Sequence, residues 1–244
     1  MIMAERDAPL IEVEDLVVSY GERRVLDGVG FAVRRGETFV IVGGSGSGKT
    51  TLIRALVGLV EPAAGSVRIG GRELTALSED ERIELRRKIG VCFQGSALFN
   101  SMTVADNVAL ALREHTDLES STIEIMTRIK LELVGLGGFG DYLPSELSGG
   151  MRKRAGIARA MAMDPEIIVY DEPSAGLDPI VAAGIDNLIR KLQQTFELTS
   201  VVVTHEMESV QLIADRICML ERGRVAGVGV DPGQDAVHYR AHAA

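Results

Sequence analysis

The sequence has few aromatic residues and no long apolar run. It lacks tryptophan, and only 4% of its 244 residues are aromatic. Its longest apolar stretches, such as residues 166–170, have the length of a strand and fall short of the roughly 20 residues that a transmembrane helix needs. The first residues, MIMAERDAP, include acidic side chains and no apolar segment. We therefore expect no secretion signal and a chain that stays in the cytoplasm.

Basic residues and cysteines are also scarce. The 26 Lys and Arg residues are outnumbered by 35 Asp and Glu residues, and the formal net charge is −9. Because no basic tract stands out, a nucleic-acid partner is not expected. Cys92 and Cys218 lie in apolar, strand-like segments without metal-ligand spacing, which predicts buried, reduced thiols. The length suits one large α/β domain with an inserted subdomain.

A glycine-rich run, residues 43–50, carries the strongest signal in the chain. It reads GGSGSGKT and matches the phosphate-binding pattern GxxxxGK[ST] between an apolar strand, residues 38–42, and a helix predicted from Lys49 to about Leu59. Glycines let backbone N–H groups surround a phosphate, and the helix N-terminus adds partial positive charge. Lys49 would reach the β- and γ-phosphates and Thr50 would hold Mg²⁺, whereas a flexible Gly/Ser turn, the alternative, needs neither residue. The predicted nucleotide-binding residues of this loop are Gly43, Gly44, Ser45, Gly46, Ser47, Gly48, Lys49, Thr50 and Thr51.

The N-terminal part of the chain has the pattern of an antiparallel sheet followed by a helix. Residues 10–35 alternate between apolar and polar, and a further strand is predicted at residues 66–69. A helix begins near Ser78, where Ser78 and Glu81 form a capping box. A strand is predicted next, at residues 90–93.

The middle of the chain reads as helical. Residues 95 to about 163 are predicted to be almost wholly helical, with patterned stretches at 104–112 and 122–133, and to form a subdomain inserted into the α/β core. Alternating strands and helices then predict a parallel sheet. These later elements are a strand from Ile167, a helix with Asp178 as N-cap and Pro179 at its first position, a strand at 200–204, a helix, and a last strand at 216–220.

Residues 167–172, IIVYDE, form a second strong signal. The apolar part predicts a strand buried on both faces, and two adjacent carboxylates follow at its end. Open parallel sheets bind ligands at the carboxyl ends of their strands, where we expect these acids beside the phosphate loop. Side chains alternate along a strand, so Asp171 is expected to reach Mg²⁺ and Glu172 to act as general base on the attacking water. A strand-ending turn that merely contains acids is the alternative.

Residues 147–151 read LSGGM and precede a helix predicted over residues 151–163. Ser148 can cap that helix, and Gly149 and Gly150 expose N–H groups at its positive end, which makes a second anion site. Since the phosphate loop already serves one triphosphate, the second site is predicted to close on a nucleotide held by another copy of the chain. The expected assembly is a dimer with two composite ATP sites, and an ordinary Ser/Gly helix start is the alternative.

The order of these motifs resembles that of the nucleotide-binding subunits of ABC transporters, over about residues 11–227. GGSGSGKT corresponds to the Walker A loop, LSGGM to the signature motif and IIVYDE to the Walker B strand. The resemblance implies an α/β fold, in which a P-loop, RecA-like parallel-sheet core carries an antiparallel β subdomain and an inserted helical subdomain. The resemblance implies one ATPase domain, residues 1–229, followed by a mobile tail, residues 230–244. Within the domain, the β subdomain and core would cover about residues 10–94 and 164–229. The helical signature subdomain would cover about residues 95–163.

The resemblance also implies roles that the motifs alone leave open. Gln94 corresponds to the Q-loop, which senses Mg²⁺ and the attacking water, and His205 corresponds to the switch histidine, which contacts the γ-phosphate. Tyr20 takes the place of the aromatic residue that stacks on adenine. Taken alone, Tyr20 reads as a turn residue and His205 as a helix-entry residue. Residues 174–178 correspond to the D-loop, which includes Asp178.

Together these assignments define the expected site for ATP and Mg²⁺. The signature departs from its common form at Met151, where Gln is usual. Because the Ser-Gly-Gly part makes the chief ATP contacts, this departure affects the fine tuning of the site more than its binding of ATP. The implied catalytic residues are Lys49, Gln94, Glu172 and His205, the implied Mg²⁺ ligands are Thr50, Gln94 and Asp171, and the implied contacts to ATP across the dimer are Ser148, Gly149, Gly150 and Asp178.

A longer segment, residues 93–104, reads FQGSALFNSMTV and indicates a subfamily. It resembles the MlaF- and Mkl-type ATPases of bacterial lipid transport systems that work with MCE proteins. The resemblance implies a permease docked near residues 97–102 and a chain that lies peripherally on the inner face of the inner membrane. The further partners it implies are a second copy, an MCE-type protein and a small cytoplasmic accessory subunit. The apolar docking residues would be Ala97, Leu98, Phe99 and Met102, with simple packing of the helical subdomain as the alternative.

A rival function is that of a soluble ABC-type ATPase without a transport role, for example an accessory of iron-sulfur cluster assembly. Ribosomal members of the family usually fuse two ATPase domains and DNA-tethering members carry long coiled coils, and this sequence shows neither pattern. The tail of residues 231–244 has little periodicity, and its His238 and His242 are too isolated to be read as metal ligands.

Overall fold

The computed structural model describes residues 8–230. These residues divide into two compact units, one made of residues 8–82 and 201–230 and the other of residues 83–200. The predictions made for residues 1–7 and for residues 231–244, including those for His238 and His242, lie outside the described part of the chain. The division into a core with a β subdomain and a separate helical subdomain over residues 95–163 stays a prediction.

An antiparallel sheet occupies much of the first unit, as the alternating pattern predicted. Its strands, in order across the sheet, are β2 (Arg23–Arg34), β1 (Pro9–Tyr20), β4 (Ala64–Ile69) and β5 (Arg72–Glu73). Leu16, Val18, Leu26 and Val29 point inward and are fully buried, which places the core on one face of the sheet. A short 3₁₀ helix (Leu74–Ala76) follows β5.

The rest of the first unit carries the phosphate loop. Strand β3 (Thr38–Val42) leads into helix α1 (Lys49–Leu56), and β3 pairs in parallel with β9 (Arg216–Glu221). The other neighbour of β3 is β8 (Thr199–Thr204), which is followed by the short helix α7 (Met207–Ile213). β3 is almost wholly buried, as expected for a strand covered on both faces.

An additional strand, β10 (Arg224–Val230), was not predicted, because the sequence interpretation ended the sheet at residue 220. β10 pairs antiparallel with β9. The connection is a tight hairpin in which Arg222 and Gly223 both have positive φ, 47° and 78°. Gly227 and Gly229 lower the β propensity of the segment, so its pattern does not read as a strand.

The second unit combines two parallel strands with most of the helices. β6 (Ile89–Cys92) pairs in parallel with β7 (Ile167–Asp171). Helix α2 (Glu79–Arg87) runs into this unit, and the capping box of Ser78 and Glu81 at its start is confirmed by hydrogen bonds in both directions. The remaining helices are α3 (Val104–His115), α4 (Ser120–Leu133), α5 (Gly149–Ala160) and α6 (Pro179–Phe196).

Residues 95–163 are less helical than the sequence suggested. Non-helical segments cover residues 95–103 and 134–148, apart from a 3₁₀ turn at Pro144–Glu146. Gly135 and Gly138 adopt positive φ, which ends α4 and prevents a new helix from starting at once. The helix after the phosphate loop likewise ends at Leu56, ahead of Gly58 with φ of 68°, instead of near Leu59.

The other helix boundaries follow the predicted caps. Asp178 accepts a hydrogen bond from the Val181 N–H, and Pro179 is the first residue of α6, as predicted. α5 covers residues 149–160, two to three residues ahead of the predicted range, because its N-cap Ser148 precedes Gly149 directly. Among residues 8–230, no helix has both the length and the apolar character that a membrane span requires.

Candidate functional site

The phosphate loop lies between β3 and α1 in the first unit, in the strand-loop-helix context that the motif predicted. Gly48 is the N-cap of α1, with φ of 107°, and no side chain accepts a hydrogen bond from the start of this helix. Gly44, Ser45, Gly46 and Thr50 are exposed at the loop surface. The uncapped N–H groups at this helix start are therefore placed where an anion can accept from them.

Two glycines at the base of the loop are required by close packing. A Cβ on Gly43 would lie 2.5 Å from the main-chain oxygen of Leu220, and a Cβ on Gly48 would lie 2.7 Å from Leu26 Cδ2. The loop is further anchored by the Gly223 N–H, which donates to the main-chain oxygen of Ser47 over 3.0 Å. β2 and the β9–β10 hairpin therefore fix the shape of the loop from below.

Lys49 and Ser47 are buried polar residues of the phosphate loop. The buried Lys49 donates from Nζ to the main-chain oxygens of Gly43 at 2.5 Å and Gly44 at 3.2 Å. This places its positive charge inside the curve of the loop, within reach of a phosphate. The Ser47 hydroxyl is buried and has no hydrogen-bond partner among the described residues. The residues present thus fit the triphosphate of ATP.

Two further predicted residues lie in the same unit as the phosphate loop. Tyr20 ends β1 at an exposed hairpin, in register with Arg23 across the turn. His205 is exposed and follows β8 directly, and β8 is a neighbour of β3 in the sheet. Tyr20 is the last strand residue before the turn, and His205 lies two residues ahead of α7. The roles of both residues toward ATP stay predictions.

The carboxylates of the second unit stand at the end of β7. Asp171 and Glu172 are 5% and 7% exposed. β7 ends at Asp171, and Glu172 has φ of 50°, in the left-handed region that few residues other than glycine adopt. The strand alternation used to separate the two side chains therefore does not extend to Glu172. A turn at this position, rather than the pleat of a strand, directs the second carboxylate.

Gln94 lies at the same edge of the second unit as the two carboxylates. Cys92 on β6 is paired with Tyr170 on β7, and the two strands are parallel. Gln94 is two residues after Cys92 and Glu172 is two residues after Tyr170, so both follow the same end of the strand pair. Behind them, burial raises the pKa of the Cys92 thiol to about 12 and that of the Tyr170 hydroxyl well above its ordinary value. The structure thus brings together Gln94, Asp171 and Glu172 in front of an apolar layer.

Lys153 on α5 was not identified from the sequence. Its Nζ donates to the main-chain oxygen of Gln94 at 2.6 Å and to that of Glu172 at 2.9 Å. Main-chain acceptors carry no sequence signal, so only the structure shows this connection. Lys153 joins the helix that follows the signature motif to both residues.

The signature residues form the start of α5, as predicted. Ser148 accepts a hydrogen bond from the Met151 N–H at 3.3 Å and is itself exposed. Gly149 and Gly150 face the segment that leads into α6, because added Cβ atoms would lie 3.2 Å from Leu177 Cδ2 and 2.5 Å from Val181 Cγ1. The glycines thus have a packing role beside the predicted anion site, and Asp178 has a capping role.

The loop after Gln94 presents apolar side chains to solvent. Phe99 is 51% exposed, Ala97 is exposed, and Leu98 and Met102 are half-buried. The loop is held from beneath by the fully buried Asn107, which bonds Phe99 through both its amide oxygen and its amide nitrogen. Exposed apolar side chains are typical of a docking surface, and the half-buried ones also fit the alternative of simple packing.

The family follows from comparison with known proteins. Residues 26–175, more than half of the chain, match the family model described as ABC transporter. The chain belongs to the ABC transporter family. It is the ATP-binding and ATP-hydrolysing subunit of such a transporter, as the order of its motifs predicted.

This ABC ATPase has relatives with several stated cargoes. It is 42% identical over 220 residues to the intermembrane phospholipid transport system ATP-binding protein MlaF of Haemophilus influenzae, covering 90% of this chain and 83% of that protein. It is 42% identical to the probable ribonucleotide transport ATP-binding protein mkl of Mycobacterium leprae and 40% identical to the methionine import protein MetN of Brucella abortus. These matches cover 90% and 91% of this chain, but less than two thirds of the relatives, 63% and 60%.

Solved structures confirm the predicted α/β P-loop fold of this ABC ATPase. The ATP-binding cassette MJ0796, in a dimeric post-hydrolysis state bound to ADP and Pi, superposes with a TM-score of 0.82 at 31% identity, covering 90% of this chain and 98% of that one. The cbiO1 protein of Clostridium perfringens, part of the transporter complex cbiONQ, gives a TM-score of 0.85 at 29% identity, covering 93% and 90%.

Proposed function

We propose that this ABC ATPase powers a membrane permease that moves phospholipids between the membranes of a bacterial envelope. The observation that carries this proposal is the 42% identity, over 90% of the chain, to a protein named for intermembrane phospholipid transport. The segment FQGSALFNSMTV supports it. The permease, an MCE-type protein and a small accessory subunit are the proposed partners, and the ATPase lies on the inner face of the inner membrane.

Two copies of the chain form the working unit in this proposal. The phosphate loop and the signature helix each offer N–H groups to an anion, and one chain needs only one such site per triphosphate. The solved cassette MJ0796 is described as dimeric, which supports the same arrangement here. Each ATP is then bound by the phosphate loop of one copy and by Ser148, Gly149, Gly150 and Asp178 of the other.

The roles of the residues at each composite site follow from their chemistry. Lys49 binds the β- and γ-phosphates and Tyr20 stacks on adenine. Thr50, Gln94 and Asp171 are the proposed ligands of Mg²⁺, which supplies neutralisation of the phosphate charge when bound. Among residues 8–230 the structure shows no group of three His, Cys, Asp or Glu residues that could hold a metal ion. His205 contacts the γ-phosphate.

Glu172 is the proposed general base for ATP hydrolysis. Glu172 follows a buried strand and is itself buried, so few bulk water molecules can reach its carboxylate. From there it can accept the proton of the water that attacks the γ-phosphate. Closure of the dimer and its opening after hydrolysis then move the permease that is bound at residues 97–102.

A pull-down from native membranes tests the proposed cargo and partners. Tagged Glu172→Gln protein, loaded with ATP and extracted in mild detergent, is expected to co-purify with a multi-span permease, an MCE-type protein and phospholipid, identified by mass spectrometry. Phe99→Asp in the same background removes the apolar docking residue that is most exposed, and the permease should then be lost while ATP binding persists. A permease with methionine or nucleotide specificity, or a soluble scaffold in place of any permease, would overturn the lipid proposal and leave the ATPase assignment intact.

A further inference from the structure

One ammonium group links three functional segments of the second unit. Lys153 lies on α5, five residues after Ser148, and its Nζ donates to the main-chain oxygens of Gln94 at 2.6 Å and of Glu172 at 2.9 Å. The first acceptor belongs to the segment that leads into the exposed loop 97–102. The second belongs to the proposed general base. The helix that carries the lysine begins at the signature motif.

The backbone at Glu172 needs such support. Its φ of 50° lies in the left-handed region, where a side chain with a Cβ is disfavoured and persists only if the surroundings fix it. The bond from Lys153 to the Glu172 oxygen is charge-assisted, and so is stronger than a bond between neutral groups. The lysine therefore holds the segment of backbone from which the Glu172 carboxylate projects.

The loop beyond Gln94 is likewise tied to α5. Ser96 and Ala97 have positive φ, 60° and 47°, and Arg159 on α5 donates to both of their main-chain oxygens. A Cβ added to Gly156 of α5 would lie 3.3 Å from Ser96 Cβ, so the helix and the loop are in close contact. A displacement of the loop would therefore be passed to α5, and through Lys153 to Glu172.

We infer that Lys153 is a positioning residue for ATP hydrolysis, which sets the Glu172 carboxylate and couples its placement to that of Gln94. The inference rests on the proposed function, because it takes Glu172 as the general base. Lys153 does not touch the nucleotide in this role. It acts on the rate of the chemical step, and it leaves the affinity for ATP unchanged.

The test compares Lys153→Met with Arg154→Met in the full chain. Arg154 is the next residue on α5 and donates from Nη1 to the main-chain oxygen of Val134, away from Gln94 and Glu172. Lys153→Met should lower kcat about tenfold or more with KM within about twofold. Arg154→Met should leave kcat unchanged, although it loses a comparable hydrogen bond. Lys153→Arg, which keeps a cation with several donors, should recover much of the lost rate.

Turnover in the Glu172→Gln background separates this inference from the proposed function. If Lys153 acts through Glu172, Lys153→Met causes no further loss of turnover once the carboxylate is gone. Wild-type turnover in Glu172→Gln itself would refute the proposed base. An inactive Glu172→Gln together with wild-type kcat in Lys153→Met would refute the inference alone. If Lys153→Met does not fold, Lys153→Ala, which removes the donor without adding bulk, serves in its place, and an unchanged kcat in that folded variant also overturns the inference.

Discussion

At the scale of single residues, the two cysteines give a direct measure of burial. Burial raises the pKa of Cys92 and of Cys218 to about 12, and both are free thiols. Only the thiolate reacts readily with maleimides, so we expect neither cysteine to be labelled at about pH 8 in the native protein. Both should be labelled after unfolding in urea, as measured by intact mass. Rapid labelling of either residue in the native state would show that the strand carrying it is not buried.

The same pKa values predict how stability depends on pH. The thiols ionise near 9.0 in the unfolded chain but near 12 in the folded one. The folded state therefore binds more protons across that interval, and the free energy of unfolding should fall as pH rises from about 9 to 12. Below pH 9 the two thiols should contribute no pH dependence. Urea titrations of wild type and of Cys92→Ala at several pH values measure this. An identical dependence of the free energy of unfolding on pH in the two proteins would contradict it.

Residues that belong to a motif could be predicted from the sequence, whereas contacts made to the backbone could not. GGSGSGKT, IIVYDE and LSGGM specify side chains whose chemistry is fixed by their type and spacing, and the structure places each in its expected strand, loop or helix start. Lys153 donates to the main-chain oxygens of Gln94 and Glu172, and every residue has such an oxygen, so no sequence pattern marks these bonds. The left-handed φ of Glu172 was also invisible, because glutamate rarely adopts it.

At the scale of elements, Asn107 holds the exposed loop that follows β6. Its amide nitrogen donates to the main-chain oxygens of Phe99, Met102 and Thr103, and its amide oxygen accepts from the Phe99 N–H. Asn107→Ala leaves several buried groups unpaired and should lower the free energy of unfolding by about 2–4 kcal/mol. It should also speed hydrogen exchange in residues 97–103. Asn100→Ala, an exposed residue of the same loop, is the control, and equal protection in both variants would contradict the role of Asn107.

Element boundaries were predictable where capping side chains exist. Ser78, Glu81 and Asp178 marked two helix starts correctly, because side-chain caps are local and depend on residue type. β10 was missed because its glycines weaken the strand pattern, and its stability comes from pairing with β9. The pattern predicts helix across residues 134–148, but Gly135 and Gly138 adopt positive φ there, a conformation that composition alone does not assign.

At the scale of the whole molecule, Ile180 marks the surface expected to meet a second copy. It is 85% exposed and lies at the start of α6, next to Val181, which contacts the Gly150 position of the signature. Ile180→Asp should leave the monomer stable, since the residue makes few contacts. It should weaken the ATP-dependent dimer about tenfold or more, because an unpaired carboxylate would be buried.

Sedimentation of ATP-loaded protein measures this effect in the Glu172→Gln background. Ile125→Asp, on α4, substitutes another exposed isoleucine away from the signature and is the matched control. Equal dimerisation of the two variants would show that the start of α6 is not part of the dimer surface.

The composite site is tested most directly by Glu172→Gln, assayed for ATP binding, ATP turnover and mass in solution. Glu197→Gln is the control, because Glu197 also has positive φ, 51°, but ends α6 at an exposed position. We predict that Glu172→Gln binds ATP as wild type does, hydrolyses it about a hundredfold or more slowly, and accumulates as a dimer holding two ATP molecules. Wild-type turnover, or an ATP-loaded monomer, would contradict Glu172 as the base of a site shared by two copies.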